Sequence, residues 1–306
     1  MATTTPVVHP TTQVLNDTRR AARRGLTLFF AILVPLSVLF ETLAIQTQNA
    51  LWIFVVMWVP AFASLVARLA LREGPSDISF RLAGRRGLRA LGLAFILPAI
   101  ICGVAYGLAW GLGLAGFVLV EHPMVAALTG GSTAPLVVMS VQILLAMTLG
   151  LIGSGVGAIG EEIGWRGYML TRLIDAGVPA PIVTSGLIWA LWHTPLILAG
   201  QYAAGPSAPL SALLFLVAAT ASGVIHGQLR LRSGSIWPPI LLHSVWNSVA
   251  QNVFDRAISG SNATIWVGES GILVALVLVA VAVTMSRGRG PIVRRLPQLV
   301  VEQANA

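Results

Sequence analysis

The chain has 306 residues, of which 56% are hydrophobic and 10% charged, with mean hydropathy +0.83. A soluble domain carries about 25% charged residues, so this composition cannot coat a water-facing surface and predicts an integral membrane protein. The net charge of +8 comes from nineteen arginines and no lysine; their placement beside apolar runs fits a membrane topology signal better than nucleic-acid binding, and no nucleic-acid partner is expected. Cys102 is the only cysteine, which excludes a disulfide framework and a thiolate metal site.

Residues 1–24 form a Thr/Pro-rich, then basic, tail that is expected to be disordered. Three apolar runs follow within 25–135: about 26–45, 51–71 and 90–120. The third is longer than the ~20 residues an upright spanning helix needs, so it is tilted or extends past the bilayer. Glu41, near the outer end of the first run, reads as interfacial. A core region, 136–256, carries four runs: 136–159, 181–199, 209–229 and 236–254. Residues 257–306 contribute a last run, 271–285, and a basic tail.

Eight alternating spans place eighteen of the nineteen arginines on one side, with only Arg256 opposite. That asymmetry predicts an all-α polytopic bundle with both termini in the cytoplasm. The fourth run is rich in glycine, and Gly153 and Gly157 lie at the spacing that lets helix backbones approach closely.

Three polar clusters interrupt these runs. Glu161, Glu162 and Arg166 follow the fourth. Glu162 and Arg166 are four residues apart, share a helix face and can pair. Glu161 is turned about 100° away, which leaves it as the candidate base. Trp189 and His193 share a face of the fifth run, and His243 and Asn247 a face of the seventh. Ionisable groups inside a bilayer are costly and usually functional. A carboxylate and two imidazoles from separate helices can activate a water, and Asn247 can donate to an oxyanion. Glu161, His193 and His243 could equally supply the three ligands of a zinc ion. His226, on the sixth run, fits none of these clusters and is set aside.

The ordered set Glu161-Glu162-x-x-x-Arg166, Trp189-x-x-x-His193 and His243-x-x-x-Asn247 resembles the CPBP family of intramembrane proteases. That family includes the type II CAAX prenyl endopeptidases and the bacteriocin-processing or self-immunity (Abi) proteins. The flanking Trp165-Arg166-Gly167-Tyr168 and Gly234-Ser235-Ile236-Trp237-Pro238 are similar too, and the resemblance covers roughly 137–251. Trp189 stands where the family usually has Phe. The resemblance implies Glu161, His193, His243 and Asn247 as catalytic residues, supported by Glu162, Arg166 and Trp189. It implies either one zinc ion or a metal-free, glutamate-dependent reaction. The substrate would be a membrane-associated peptide or protein, prenylated or bacteriocin-like. The site would face the cytoplasmic side, among lipid, of what is expected to be a bacterial plasma membrane. The alternatives are a proton-coupled transporter and a catalytically silent immunity or scaffold protein of the same fold.

Overall fold

A computed structural model describes residues 12–119, 122–203 and 205–287. The chain is an all-α bundle with one minimal sheet. Its first three helices are α1 (Thr12–Thr47), α2 (Ala50–Leu71) and α3 (Gly84–Gly111). Strand β1 (Gly116–Phe117) and the short α4 (Pro123–Thr129) precede a helical rod, α5 (Pro135–Leu145), α6 (Leu151–Gly164) and α7 (Leu170–Asp175). Two π turns, Ala146–Gly150 and Trp165–Met169, join its parts. Then come α8 (Pro181–Leu198), α9 (Ala208–Ser233) and α10 (Trp237–Val249), the last continuing as a π turn to Phe254. Strand β2 (Ile258–Ser259) pairs antiparallel with β1, and α11 (Ala263–Trp266) and α12 (Ile272–Arg287) follow.

Six of these helical stretches are long and apolar enough to cross a membrane: α1, α2, α3, the α5–α7 rod, α8 and α9. The last two expected spans correspond to α10 and α12, which are shorter. Three boundaries differ from expectation. Residues 12–24, expected to be disordered, are helical; the Ala/Arg/Leu-rich stretch favours helix, and Ala22 and Gly25 are buried. Residues 1–11 and the basic tail beyond 287 lie outside the described residues. The third helix stops at Gly111, where Gly113 takes a positive φ of 70° that favours glycine. The fourth run does not end before Glu161. The rod carries on to Asp175, 41 residues in all, or about 60 Å at 1.5 Å per residue.

That continuation decides the character of the site. Glu161, Glu162 and Arg166 are not charges at a solvated helix end. They lie inside the bundle, with Glu161 1% and Glu162 and Arg166 0% exposed.

The packing that buries them uses glycine. A Cβ at Gly164 would sit 2.4 Å from the Pro60 Cβ, and one at Gly160 2.8 Å from the Met57 carbonyl oxygen. The close row on the fourth run is thus Gly157, Gly160 and Gly164 against α2. Gly153, half of the expected close pair, has open space at its Cβ position. On its other side α6 receives α10, where Ser244 Oγ donates to the Leu151 carbonyl at 2.7 Å and Ser248 Oγ to that of Ala146 at 2.5 Å. Helices α8 and α9 touch backbone to backbone: a Cβ at Gly223 would lie 2.4 Å from the Gly186 Cα.

The α2–α3 loop is pinned by ion pairs. Arg68 binds Asp77 at 2.5 Å and the Gly167 carbonyl, within the second π turn, at 3.1 Å. Arg172 binds Glu73 at 2.7 Å. Glu41 is 4% exposed, and its Oε1 has no hydrogen-bond partner among the described residues. It shares the buried face of α1 with Ser37 and Ala44.

The glycine contacts predict a contrast. Gly223→Ala should destabilise the bundle by about 1–3 kcal/mol, the usual cost of overpacking, whereas Gly153→Ala should change stability by less than about 0.5 kcal/mol or raise it slightly. Reversible unfolding in mixed detergent micelles measures both.

Candidate functional site

Four helices bring the polar residues together. Glu161 and Glu162 come from α6, Arg166 from the following π turn, Trp189 and His193 from α8, His226 from α9, and His243 and Asn247 from α10. Glu162 is the tie between them. Its Oε1 accepts from Arg166 Nη1 at 2.7 Å, as the i,i+4 spacing requires, and from His243 Nδ1 at 3.0 Å. A carboxylate can only accept here, so Nδ1 of His243 carries the proton. The other ring nitrogen, Nε2, then faces Glu161 Oε1 at 4.0 Å. That is too long for a direct hydrogen bond, and it lets both atoms touch one shared water.

Glu161 is held by two indoles. Trp189 Nε1 donates to its Oε2 at 2.7 Å and Trp165 Nε1 to the same oxygen at 3.4 Å. Oε1 is left toward His243. Trp189 therefore does more than fill space. Its ring also receives the Arg166 guanidinium at 4.5 Å and meets His193, His226 and His243, each at 5.5 Å between centroids. A Phe at this position would keep the ring contacts and lose the donor to Glu161.

His193 is near this group but oriented differently. Its Nδ1 donates to the Trp189 carbonyl at 2.9 Å, and its ring stacks on Tyr202 at 5.4 Å. No hydrogen bond among the described residues joins it to Glu161 or His243. Asn247 lies one turn beyond His243 and lines a cavity of about 30 Å³ with Trp189, Tyr202, Ser222, His243 and Glu269. A water needs on the order of 10–15 Å³ measured this way, so the cavity has room for water and is too small for a peptide. Glu161 and His193 do not line it.

Two residues at the site escaped the sequence reading. Glu269, in the loop before α12, accepts from Trp246 Nε1 at 2.9 Å and from Gln251 at 3.3 Å. Nothing in its local sequence marks it, because its partners are distant in the chain. His226 had a signal: a lone imidazole in an apolar helix, one turn after Ser222. It is 1% exposed, and its ring centroid is 5.8 Å from that of His243. The donor atoms of Glu161, His193 and His243, the expected zinc ligands, do not form a close three-donor group. The one such group of His, Cys, Asp or Glu among the described residues is Glu162, His226 and His243.

Residues 141–249 match a family model described as type II CAAX prenyl endopeptidase Rce1-like. That segment is similar to the CAAX prenyl endopeptidases, which supports the CPBP/CAAX protease resemblance. All the site residues named above except Gln251 and Glu269 fall within the matched segment, while α1, α2 and α3 precede it. No curated protein matches the chain. The match over 141–249 and six apolar helices of spanning length fit, in general terms, a multi-pass membrane protein with a CAAX-endopeptidase-like segment.

The ion pair and the candidate base separate in their effects on folding. Arg166→Met strips Glu162 of a partner in a fully buried site, and breaking such a pair costs about 3–5 kcal/mol. Glu161→Gln keeps an acceptor for both indoles and should cost less than about 1.5 kcal/mol. Unfolding of the two variants in the same detergent, side by side, tests this ordering.

Proposed function

We propose that this protein is an intramembrane endopeptidase of the CPBP type that hydrolyses a peptide bond with a water activated by Glu161. The observation that carries the reading is the 4.0 Å approach of Glu161 Oε1 to His243 Nε2, two groups from helices 81 residues apart in the chain at their Glu162–His243 tie. With Oε2 engaged by Trp189, Oε1 is the oxygen that takes the water's proton. The remaining hydroxide attacks the carbonyl carbon of the substrate. The peptide C–N bond breaks as the proton reaches the leaving nitrogen.

Glu162 orients His243 by its Nδ1 hydrogen, so Nε2 is the ring atom that exchanges protons with the water side. Asn247, one turn away on the same face, donates its side-chain amide to the oxyanion. His193 supports the site through its Nδ1 bond, which fixes the tautomer and leaves Nε2 as acceptor. The bond cleaved would lie in a peptide or protein at the membrane. A prenylated C-terminal peptide follows from the family and a bacteriocin-like peptide is the other family substrate. The described site has room for water alone, so the substrate must part α8, α9 and α10 or enter beside them. We also propose eight spans, with α10 and α12 as the last two. The arginine-rich ends of the helices would lie on the cytoplasmic side, in a bacterial plasma membrane.

The zinc option does not fit the residues the family resemblance implies. Glu161, His193 and His243 do not form a close three-donor group among the described residues. The reaction outlined here uses no step through a metal.

Three substitutions test the reading in purified protein with a quenched-fluorescence prenylated peptide, or by comparing the peptides that accumulate in cells. Glu161→Gln should lower turnover by at least ~10²-fold, the lower end for loss of a positioned base; retained turnover would rule it out as the base. Trp189→Phe keeps the ring and removes the donor, and should lower kcat/KM about tenfold or more, since a hydrogen bond to a charged group contributes about 1.5–3 kcal/mol. Asn247→Ala should lower kcat by about 10²-fold with little change in KM if it binds the oxyanion. An equal effect on both would assign it a packing role.

A further inference from the structure

His226 is a buried base with nothing to bind. Its Nδ1 donates to the Ser222 carbonyl at 2.8 Å, with the Ser222 hydroxyl at 3.4 Å. A carbonyl only accepts, so Nδ1 holds the proton and Nε2 presents a lone pair. That Nε2 has no hydrogen-bond partner among the described residues, in a side chain 1% exposed. This is how ligating histidines are prepared: the second nitrogen donates to a carbonyl and fixes the tautomer, and the first is left to the metal.

The other side of the same space carries a matching orphan. Glu162 uses Oε1 for Arg166 and His243, while its Oε2 is buried and unpartnered among the described residues. One donor atom each from Glu162, His226 and His243 lies within 4.8 Å of the others. Two unpaired, fully buried acceptors this close are costly, and a cation satisfies both at once. Arg166 is the nearest fixed positive charge. It sits on Oε1 and under the Trp189 ring, its Nε and Nη2 have no hydrogen-bond partner among the described residues, and Oε2 receives no hydrogen bond from it. Two imidazole nitrogens in the donor set favour a transition metal over magnesium or calcium, which take oxygen ligands.

We propose that Glu162, His226 and His243 form a binding site for a divalent transition metal of the zinc class, separate from the Glu161, His193 and His243 set implied by the family. Two imidazoles and one carboxylate are a common zinc donor set, with the fourth position open. To bind through Nδ1, His243 would change tautomer, losing the Nδ1 proton to water and taking one up at Nε2, so that the ring stays neutral and Glu162 stays ionised. The metal thus takes over the orienting role that Glu162 plays without it. The site stands on its own geometry and does not require that Glu161 be the base of hydrolysis.

The test is metal binding by the full-length protein in detergent, stripped by chelator and titrated with Zn²⁺ or Co²⁺. Wild type, His193→Ala and Glu161→Gln should each bind one equivalent, and the Co²⁺ form should show ligand-field absorption from nitrogen and oxygen ligands. His226→Leu and His226→Gln should bind at least about 100-fold more weakly, beyond the roughly 10–100-fold that loss of an outer-shell partner costs. Zinc should also raise the melting temperature of wild type and His193→Ala but not of His226→Gln, because only a bound ligand stabilises the native state. Loss of binding in His193→Ala with retention in His226→Gln overturns the proposal, as does wild type that takes up no metal. If both His226 variants fail to fold, the two remaining variants decide: retained binding supports the site, and its loss in either overturns it. Absence of peptidase activity would not bear on any of these readouts.

Discussion

The structure turns on one buried carboxylate oxygen. Oε1 of Glu162 holds Arg166 from the next turn of its own helix and His243 from α10. In a membrane interior such a charge survives only if its partners are in place. Every other feature of the site follows from satisfying it. Arg166 must be folded inward, so the rod continues past the acidic pair instead of ending there. The ring of His243 is turned so that one nitrogen serves Glu162, and the opposite nitrogen then faces Glu161. The guanidinium is covered on its open face by Trp189, and the same indole donates to Glu161. Two carboxylates adjacent in sequence thereby acquire different work: one is spent on structure and the other retains a free oxygen.

That division was partly legible in the sequence. The spacing of Glu162 and Arg166 is a local property of a helix, and the pairing is found as expected. The spacing of His243 and Asn247 likewise places both on one face of α10. The tie from His243 to Glu162 joins residues 81 apart, and no periodicity reports it. Trp189 could be read as an aromatic face, but its donor depends on where Glu161 points. The span boundaries were misjudged where hydropathy was the guide. Charges at 161–166 looked like the end of an apolar run, because a hydropathy pattern does not know that Arg166 has a buried partner. Glu41 is enclosed by helix packing, which hydropathy does not report. His226 fits none of the three sequence clusters, although its companions stand on α6 and α10.

The segment that matches the family does not build the site alone. Trp165 packs edge-on against Phe29 of α1, Gly164 meets Pro60 of α2, and Arg68 of α2 holds the carbonyl of Gly167 within the second π turn. A π turn misaligns backbone hydrogen bonds relative to the α-helical ladder, and a partner from another helix compensates. Arg68 also ties Asp77, and Arg172 ties Glu73 and Asp77. The arginines read as topology signals are therefore also structural cations. This explains how α1 and the α2–α3 segment, with no recognisable motif, can matter to chemistry they do not perform: they pack against the turn that follows Glu161 and Glu162.

A site built this tightly sets a condition on any substrate. The water-sized cavity beside His243 and Asn247 is walled by Trp189, Tyr202 and Phe215, and a polypeptide backbone cannot enter it without moving one of them. The α6 and α10 helices are clamped by Ser244, Ser248 and the Glu162 tie, and α8 and α9 are joined through Gly186 and Gly223. The weaker boundary is the Tyr202 side. It lies on the loop between α8 and α9, where Gly200 takes a positive φ of 73° and Gly205 interrupts the run. Tyr202 stacks on His193 and packs against Phe215, so displacing it would free His193 and widen the cavity in one movement. Opening there leaves the carboxylate tie intact, which is the condition any route to Glu161 has to meet.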